Sequence, residues 1–232
     1  LGIDAGSSTT DVVVIDDLGK LLDSASFLSD DNSASNVYSF IKNFDNKKCE
    51  KNNTEKDDKI RITGCGAKKL KNIFPNAKFV DEIQAIGLGG LHVAGVDRAL
   101  VVSVGSGTCM VSAEKSKILH VGGTAIGGKT LCGLGKLIVG TSDYADLDKL
   151  ASAGDLSKVD LMLKDIYPEG IGLLPNTATA SHFGNISDDA RREDYALALI
   201  NMAAQTIGTL SVFAAKAHNH NKVVLTGKLT DL

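Results

Sequence analysis

Residues 1–17 read LGIDAGSSTTDVVVIDD, and residues 101–113 read VVSVGSGTCMVSA. Each is an apolar run, a bend of small residues and a second β-branched apolar run, the pattern of two strands joined by a tight hairpin. The first bend is Gly6, Ser7 and Ser8 with Thr9; the second is Gly105, Ser106 and Gly107 with Thr108. Recurrence of one unit about a hundred residues further on means two similar halves. Helical patterns follow each hairpin, so the molecule is expected to be α/β, with ligands gathered at the loops that leave the sheets and in a cleft between the halves.

Between the hairpins, residues 36–44 have helical spacing, and Lys59 to Thr63 (KIRIT) alternates as a strand should before ending at Gly64-Cys65-Gly66. A short helix precedes Pro75, and Phe79-Val80 forms a strand edge leading into a helix from about Glu82. Beyond the second hairpin the chain turns glycine-dense from Val121 (VGGTAIGGKTLCGLGKLIVG), then shows amphipathic helical spacing over Tyr144–Ala153 and Ser157–Ile166. Glu193 to His218 is a long, nearly all-apolar helical stretch interrupted by Gly208, which must bury itself in the core or against another subunit. Lys222 to Thr226 (KVVLT) is a strand that runs into Gly227. The expected division is a first lobe at 1–95 and a second at 96–232, the second cut short after its last strand.

Composition narrows the function classes. The 232 residues are 43% hydrophobic and 23% charged, with a formal net charge of -3, so the basic footprint of a nucleic-acid binder is missing. The run Asp45 to Lys59 mixes both signs and reads as a solvated loop tip. Cys49, Cys65, Cys109 and Cys132 are scattered and form no CxxC pair, which speaks against a zinc knuckle or a disulfide scaffold and for reduced thiols in the cytoplasm. No apolar run is read as approaching the roughly 20 residues that span a bilayer, so no membrane partner is expected.

Asp4 stands at the end of the first strand, just before a turn whose small residues let an anion approach the backbone closely. Magnesium prefers oxygen ligands and keeps several waters, so Asp4 suits a metal held over phosphate oxygens, although any tight hairpin also uses Gly, Ser and Asp. His182, within Ser181-His182-Phe183-Gly184, reads better as a hydrogen-bonded structural histidine than as a catalytic one. His218 and His220 read as an exposed polar helix end rather than a metal site.

The paired hairpins resemble those of the actin, Hsp70 and sugar-kinase superfamily, and one family in it is much more similar. Type II pantothenate kinases carry an opening like Gly2-Ile3-Asp4-Ala5-Gly6, a hairpin like Val104 to Thr108 and a glycine-rich stretch like Val121 to Gly128, in that order. The resemblance continues through Gly133-Leu134-Gly135, Asp143-Tyr144, Ala153-Gly154-Asp155, Asp165-Ile166-Tyr167 and Ala180 to Asn185, covering nearly the whole chain. It implies a bilobal actin-like ATPase fold of ribonuclease H type, with two related lobes and a nucleotide cleft between them. It also implies ATP and Mg²⁺ as cofactors, pantothenate or a related alcohol as acceptor, coenzyme A or an acyl-CoA as regulator, and a homodimer.

By the same resemblance Glu82 is the general base, with Asp81 as its rival; an acidic residue also suits the start of a helix for electrostatic reasons. The two hairpins with Gly127, Gly128 and Lys129 fall on the nucleotide side, and Gly227 falls beside adenine. His120, Gly122, Gly123 and Thr124 fall on the acceptor side. Three positions depart from the family pattern: Asp11 stands for a lysine, Lys129 for a glycine and His120 for an arginine that helps hold pantothenate. Histidine is shorter and lacks the bidentate fork, which opens the door to another acceptor alcohol. Lys129 is either a compensating phosphate contact or a solvated loop lysine. Two rival functions remain open: an ATPase activator of an acyl-CoA dehydratase, which needs cysteines for an iron-sulfur cluster, and a non-catalytic nucleotide-binding relative.

Overall fold

The computed structural model describes residues 1–47 and 59–231; most of the charged loop, with Cys49, lies outside them. The chain divides into two compact units, Leu1–Gly89 and Gly90–Leu232.

The first unit is built from β1 (Gly2–Ala5), β2 (Thr9–Ile15), β3 (Leu21–Leu28), α1 (Ser33–Lys47), β4 (Arg61–Thr63), α2 (Ala67–Leu70), β5 (Lys78–Phe79) and the start of α3 (Glu82–Ala94). Its sheet has the order β3-β2-β1-β4-β5, with β1, β2 and β3 antiparallel and β1, β4 and β5 parallel. Period-two alternation aims one face inward. Ile3, Ala5, Val12 and Ile62 pack there against Val37 of α1, Ala67 and Leu70 of α2, and Phe74. Sequence reading passes over β3 because LLDSASFL has weak strand formers at its centre and an exposed face; pairing along β2 holds it.

The second unit holds β6 (Arg98–Val104), β7 (Thr108–Glu114), β8 (Lys117–Thr124), α4 (Gly128–Ile138), α5 (Tyr144–Ala151), β9 (Leu161–Met162), β10 (Thr179–Ser181), α6 (Arg192–Ala217) and β11 (Val223–Thr226). Its main sheet has the order β11-β6-β7-β8, with β6, β7 and β8 antiparallel and β11 parallel to β6. That is the pattern of β4-β1-β2-β3 repeated. Leu100 and Val102 of β6, with Met110 of β7, meet Ile207 and Ala215 of α6 in the core.

Two expectations change on inspection, and one stretch that carried none takes shape. The stretch Ser157–Ile166 is not a helix: 3-10 turns at Leu156–Lys158 and Leu163–Asp165 flank β9. Asp155 accepts the Ser157 N–H at 2.9 Å and Asp165 accepts that of Met162 at 2.9 Å, and such local bonds compete with helical ones. The glycine-dense stretch begins as strand β8, which carries a bulge at Val121: His120 pairs with Val111 and Gly122 with Met110. Finally, α6 is long and apolar enough to cross a membrane by length and composition, with a mean hydropathy of 1.5 over its most apolar 18-residue window. In this fold it packs against α4, α5 and the second sheet, burying Asp194 and Ser211 on the way.

Candidate phosphate and magnesium site

In the first unit, core-facing Ile3 and Ala5 leave Asp4 on the opposite face of β1. Asp11 lies across from it on β2 and Thr63 on β4, each in direct register. Asp4 is exposed at the surface of the sheet, yet partial desolvation, followed by the charges of Glu82 and Asp11, raises its pKa above the usual carboxylate value. The turn after it is braced from within and from β3. Gly6 N–H donates to Thr9 O at 2.9 Å, and Ser29, just past β3, donates its hydroxyl to Gly6 O at 2.7 Å and its N–H to Ser8 O at 2.9 Å. Thr10 and Ser29 hydroxyls share a further bond at 3.0 Å. Nothing in the sequence marks Ser29 for this role, because the contact comes from strand pairing.

The end of β4 closes on the same spot. Gly66 N–H donates to Ala5 O at 2.8 Å, and Gly64, at φ +90, lies so close that a Cβ there would stand 2.5 Å from Asp4 Oδ1. Asp81 serves as the cap of α3: its carboxylate accepts the Gln84 N–H at 3.1 Å, which leaves Glu82 as the first residue of the helix with its side chain exposed. Among the described residues no three His, Cys, Asp or Glu side chains gather into a metal cage. Magnesium does not need one, since one or two carboxylates with waters suffice, and the crowded charge at Asp4 is what a dication would relieve.

In the second unit the turn is locked by the glycine-rich segment. Gly105 N–H donates to Gly107 O at 2.9 Å; Gly128 N–H donates to Gly105 O at 2.8 Å and Lys129 N–H to Ser106 O at 3.1 Å. The Thr108 hydroxyl donates to Ile126 O at 2.7 Å. A Cβ on Gly127 would stand 2.6 Å from Gly107 Cα, so only glycine permits this approach. The first amides of α4 are thus spent on holding the turn, while the Lys129 side chain is exposed. Gly227, at φ +104, brings the end of β11 against Val104 O, next to Gly105. Thr124 and Gly123 pair with Thr108 and Cys109 beside the turn. His120 is exposed opposite Val111, three residues along β7 from Thr108 or about 10 Å away.

Two polar arrangements in this unit involve histidines that the sequence singled out. Asp160, fully buried, accepts from Phe183 N–H at 2.9 Å, Asn201 Nδ2 at 3.0 Å and the Thr179 hydroxyl at 3.2 Å, and pairs with His182 Nδ1 at 3.3 Å. This holds Phe183 at φ 56, an unusual conformation for a bulky residue, and gives His182 the structural role expected of it. His220, expected at an exposed helix end, is buried instead. Asn219 at φ 57 ends α6, His220 N–H returns to Ala215 O at 2.8 Å, and the ring reaches Ser112 Oγ at 2.7 Å through Nε2.

The family model described as Fumble matches residues 98–231. A type II pantothenate kinase of Oceanobacillus iheyensis is 32% identical over 176 residues, 72% of this chain and 66% of that one. One of Bacillus cereus is 24% identical over 238 residues, 98% of this chain and 82% of that one. This chain therefore spans just under two thirds of the first relative's length. Among solved structures, component A of the Acidaminococcus fermentans (R)-2-hydroxyglutaryl-CoA dehydratase superposes with a TM-score of 0.64 at 14% identity, covering 98% of this chain and 82% of that one. The activator of the Clostridium difficile 2-hydroxyisocaproyl-CoA dehydratase, with bound ADPNP, does so at 0.59 and 14%, covering 97% and 87%. These likenesses are of fold, and the fold is the two-unit actin-like one.

Proposed function

Since this chain belongs to the Fumble family of type II pantothenate kinases, we propose that it is an ATP-dependent phosphotransferase whose acceptor alcohol is pantothenate, converted to 4'-phosphopantothenate for coenzyme A synthesis. One observation carries the reading from family to chemistry: the second sheet repeats the first, and both set a small-residue turn between their two leading strands. In this reading Gly6 to Thr9 and Gly105 to Thr108 receive phosphate oxygens, Gly127 and Gly128 keep the second turn in shape, and Lys129 adds positive charge. Gly227 lies on the adenosine side. His120, Gly122, Gly123 and Thr124 lie on the acceptor side.

Asp4 would hold magnesium, directly or through water; when bound, the ion neutralises charge on the transferring phosphoryl group. The chain's own task is positioning and proton transfer. Glu82 accepts the proton of the attacking hydroxyl as the phosphoryl group moves in line to that oxygen, and the nucleoside diphosphate departs. A cytoplasmic homodimer regulated by coenzyme A or an acyl-CoA completes the proposal. The exposed Leu210, Val212 and Phe213 of α6 favour a partner subunit on that helix. The dehydratase-activator alternative finds little support in the thiols. Cys132 shares a hydrogen bond with the Tyr144 hydroxyl, which burial and that bond together push upward in pKa.

The test is ATP-dependent phosphate transfer to pantothenate, pantetheine and simple sugars, the wider panel being motivated by His120. ATP binding with no acceptor phosphorylated would reject the kinase reading in favour of a nucleotide-binding module. Glu82→Gln is expected to bind nucleotide as the wild type does and to lose about 10²–10⁴-fold in turnover; unchanged turnover rejects Glu82 as the base.

A further inference from the structure

Asp11, Asp4 and Thr63 form a row across β2, β1 and β4, because residues in direct register share a face of the sheet. Their neighbours Val12, Ile3 and Ile62, also in mutual register, are buried on the opposite face. The Asp4 carboxylate lies close over β4, as the approach of its Oδ1 to Gly64 shows. Beside it, Thr63 Oγ1 is buried and has no hydrogen-bond partner. Such an orphaned hydroxyl weakens the free protein, and valine, of nearly the same shape and a good strand former, would avoid the cost.

We propose that Thr63 is a ligand-contacting residue of the Asp4 site, its covered hydroxyl turning outward on binding to meet an oxygen of a magnesium polyphosphate. The inference rests on the phosphate and magnesium reading of Asp4 given above. A carboxylate can only accept hydrogen bonds, whereas a threonine hydroxyl both donates and accepts. It can therefore take a hydrogen from a water in the cation's shell or give one to a phosphate oxygen, and a carboxylate cannot do both. Magnesium retains several of its waters, so either oxygen is available within reach of a site with so few carboxylate ligands.

Thr63→Val and Thr63→Ser decide the matter, each melted alone, with Mg²⁺, with a non-hydrolysable ATP analogue and with both, and then titrated with both. Thr63→Val is expected to melt at or above the wild-type temperature without ligand, yet to bind the magnesium analogue about tenfold more weakly, the effect of one good hydrogen bond. Thr63→Ser should keep most of the affinity. Loss of the response to Mg²⁺ alone assigns the partner as a metal-bound water; loss only where the analogue is present assigns a phosphate oxygen. Equal affinity of Thr63→Val and wild type overturns the inference, and so does a ligand-free Thr63→Val that melts several degrees lower. A wild type that fails to respond to Mg²⁺ and analogue together brings down the kinase reading as well, which keeps the two failures apart.

Discussion

Replacing Gly64 by alanine tests whether the end of β4 is built around the Asp4 carboxylate. Two costs add. At φ +90 an L-residue is strained, by about 1–2 kcal/mol. The new Cβ would also stand 2.5 Å from Ala5 O, 2.5 Å from Asp4 Oδ1 and 2.7 Å from Ala5 C. Two of those atoms belong to the backbone of the central strand and cannot rotate aside, so overpacking adds about 1–3 kcal/mol. The expected total is about 2–5 kcal/mol, a large share of the roughly 5–15 kcal/mol typical of a whole domain. Gly95 supplies the control: it has φ +62, and an added methyl there would meet nothing within 4 Å, so Gly95→Ala should cost only about 1–2 kcal/mol. Urea unfolding followed by circular dichroism measures both, provided the slope against urea is unchanged. Agreement of the two variants within about 0.5 kcal/mol would falsify the claim that Gly64 is required by close approach to Asp4 and Ala5, leaving only its dihedral angle.

Asp160→Ala should destabilise the second unit by about 2–4 kcal/mol, since it strands the Phe183 N–H and takes away the acceptor shared by Asn201 and Thr179, which keep their mutual bond; a loss under about 1 kcal/mol in denaturant unfolding would sink that account. The pH dependence of stability should contain a histidine contribution of definite sign. Burial, then the charge of Arg98, lowers the pKa of His220, so the unfolded chain takes up the proton first. Stability is complete above the ordinary histidine value of about 6.5 and falls with pH from there down to the depressed folded value. His220→Gln, which does not titrate and can still bond Ser112, should flatten melting temperature against pH in that window, and an unchanged slope would place the titration elsewhere.

The readings that survived rest on short-range regularities. Alternation in KIRIT, the β-branched runs on either side of each bend and the acidic start of α3 depend on residues next to one another, so β1, β2, β4, β6, β7 and α3 stand where the pattern puts them. Sequence reading lost β3 and β8 because edge strands with serine or glycine in them draw their stability from a neighbouring strand rather than from their own residues. The helix expected at Ser157–Ile166 fails for a related reason. Its apolar spacing is real, but Asp155, Asp160 and Asp165 spend their carboxylates on backbone amides, one of them 23 residues away.

Sequence alone therefore determined the α/β class, the twofold repetition, the family and the identity of the residues around each turn, because those are properties of composition and order. Tertiary structure decided what touches them: Ser29 bracing the first turn, Gly128 and Lys129 spending their amides on the second, Thr63 beside Asp4 with its hydroxyl unanswered, and His220 buried against Ser112. The physical reason is that registry between strands and the closure of a helix onto a sheet are set by the whole core. No local pattern encodes which distant polar atom will end within about 3 Å of another.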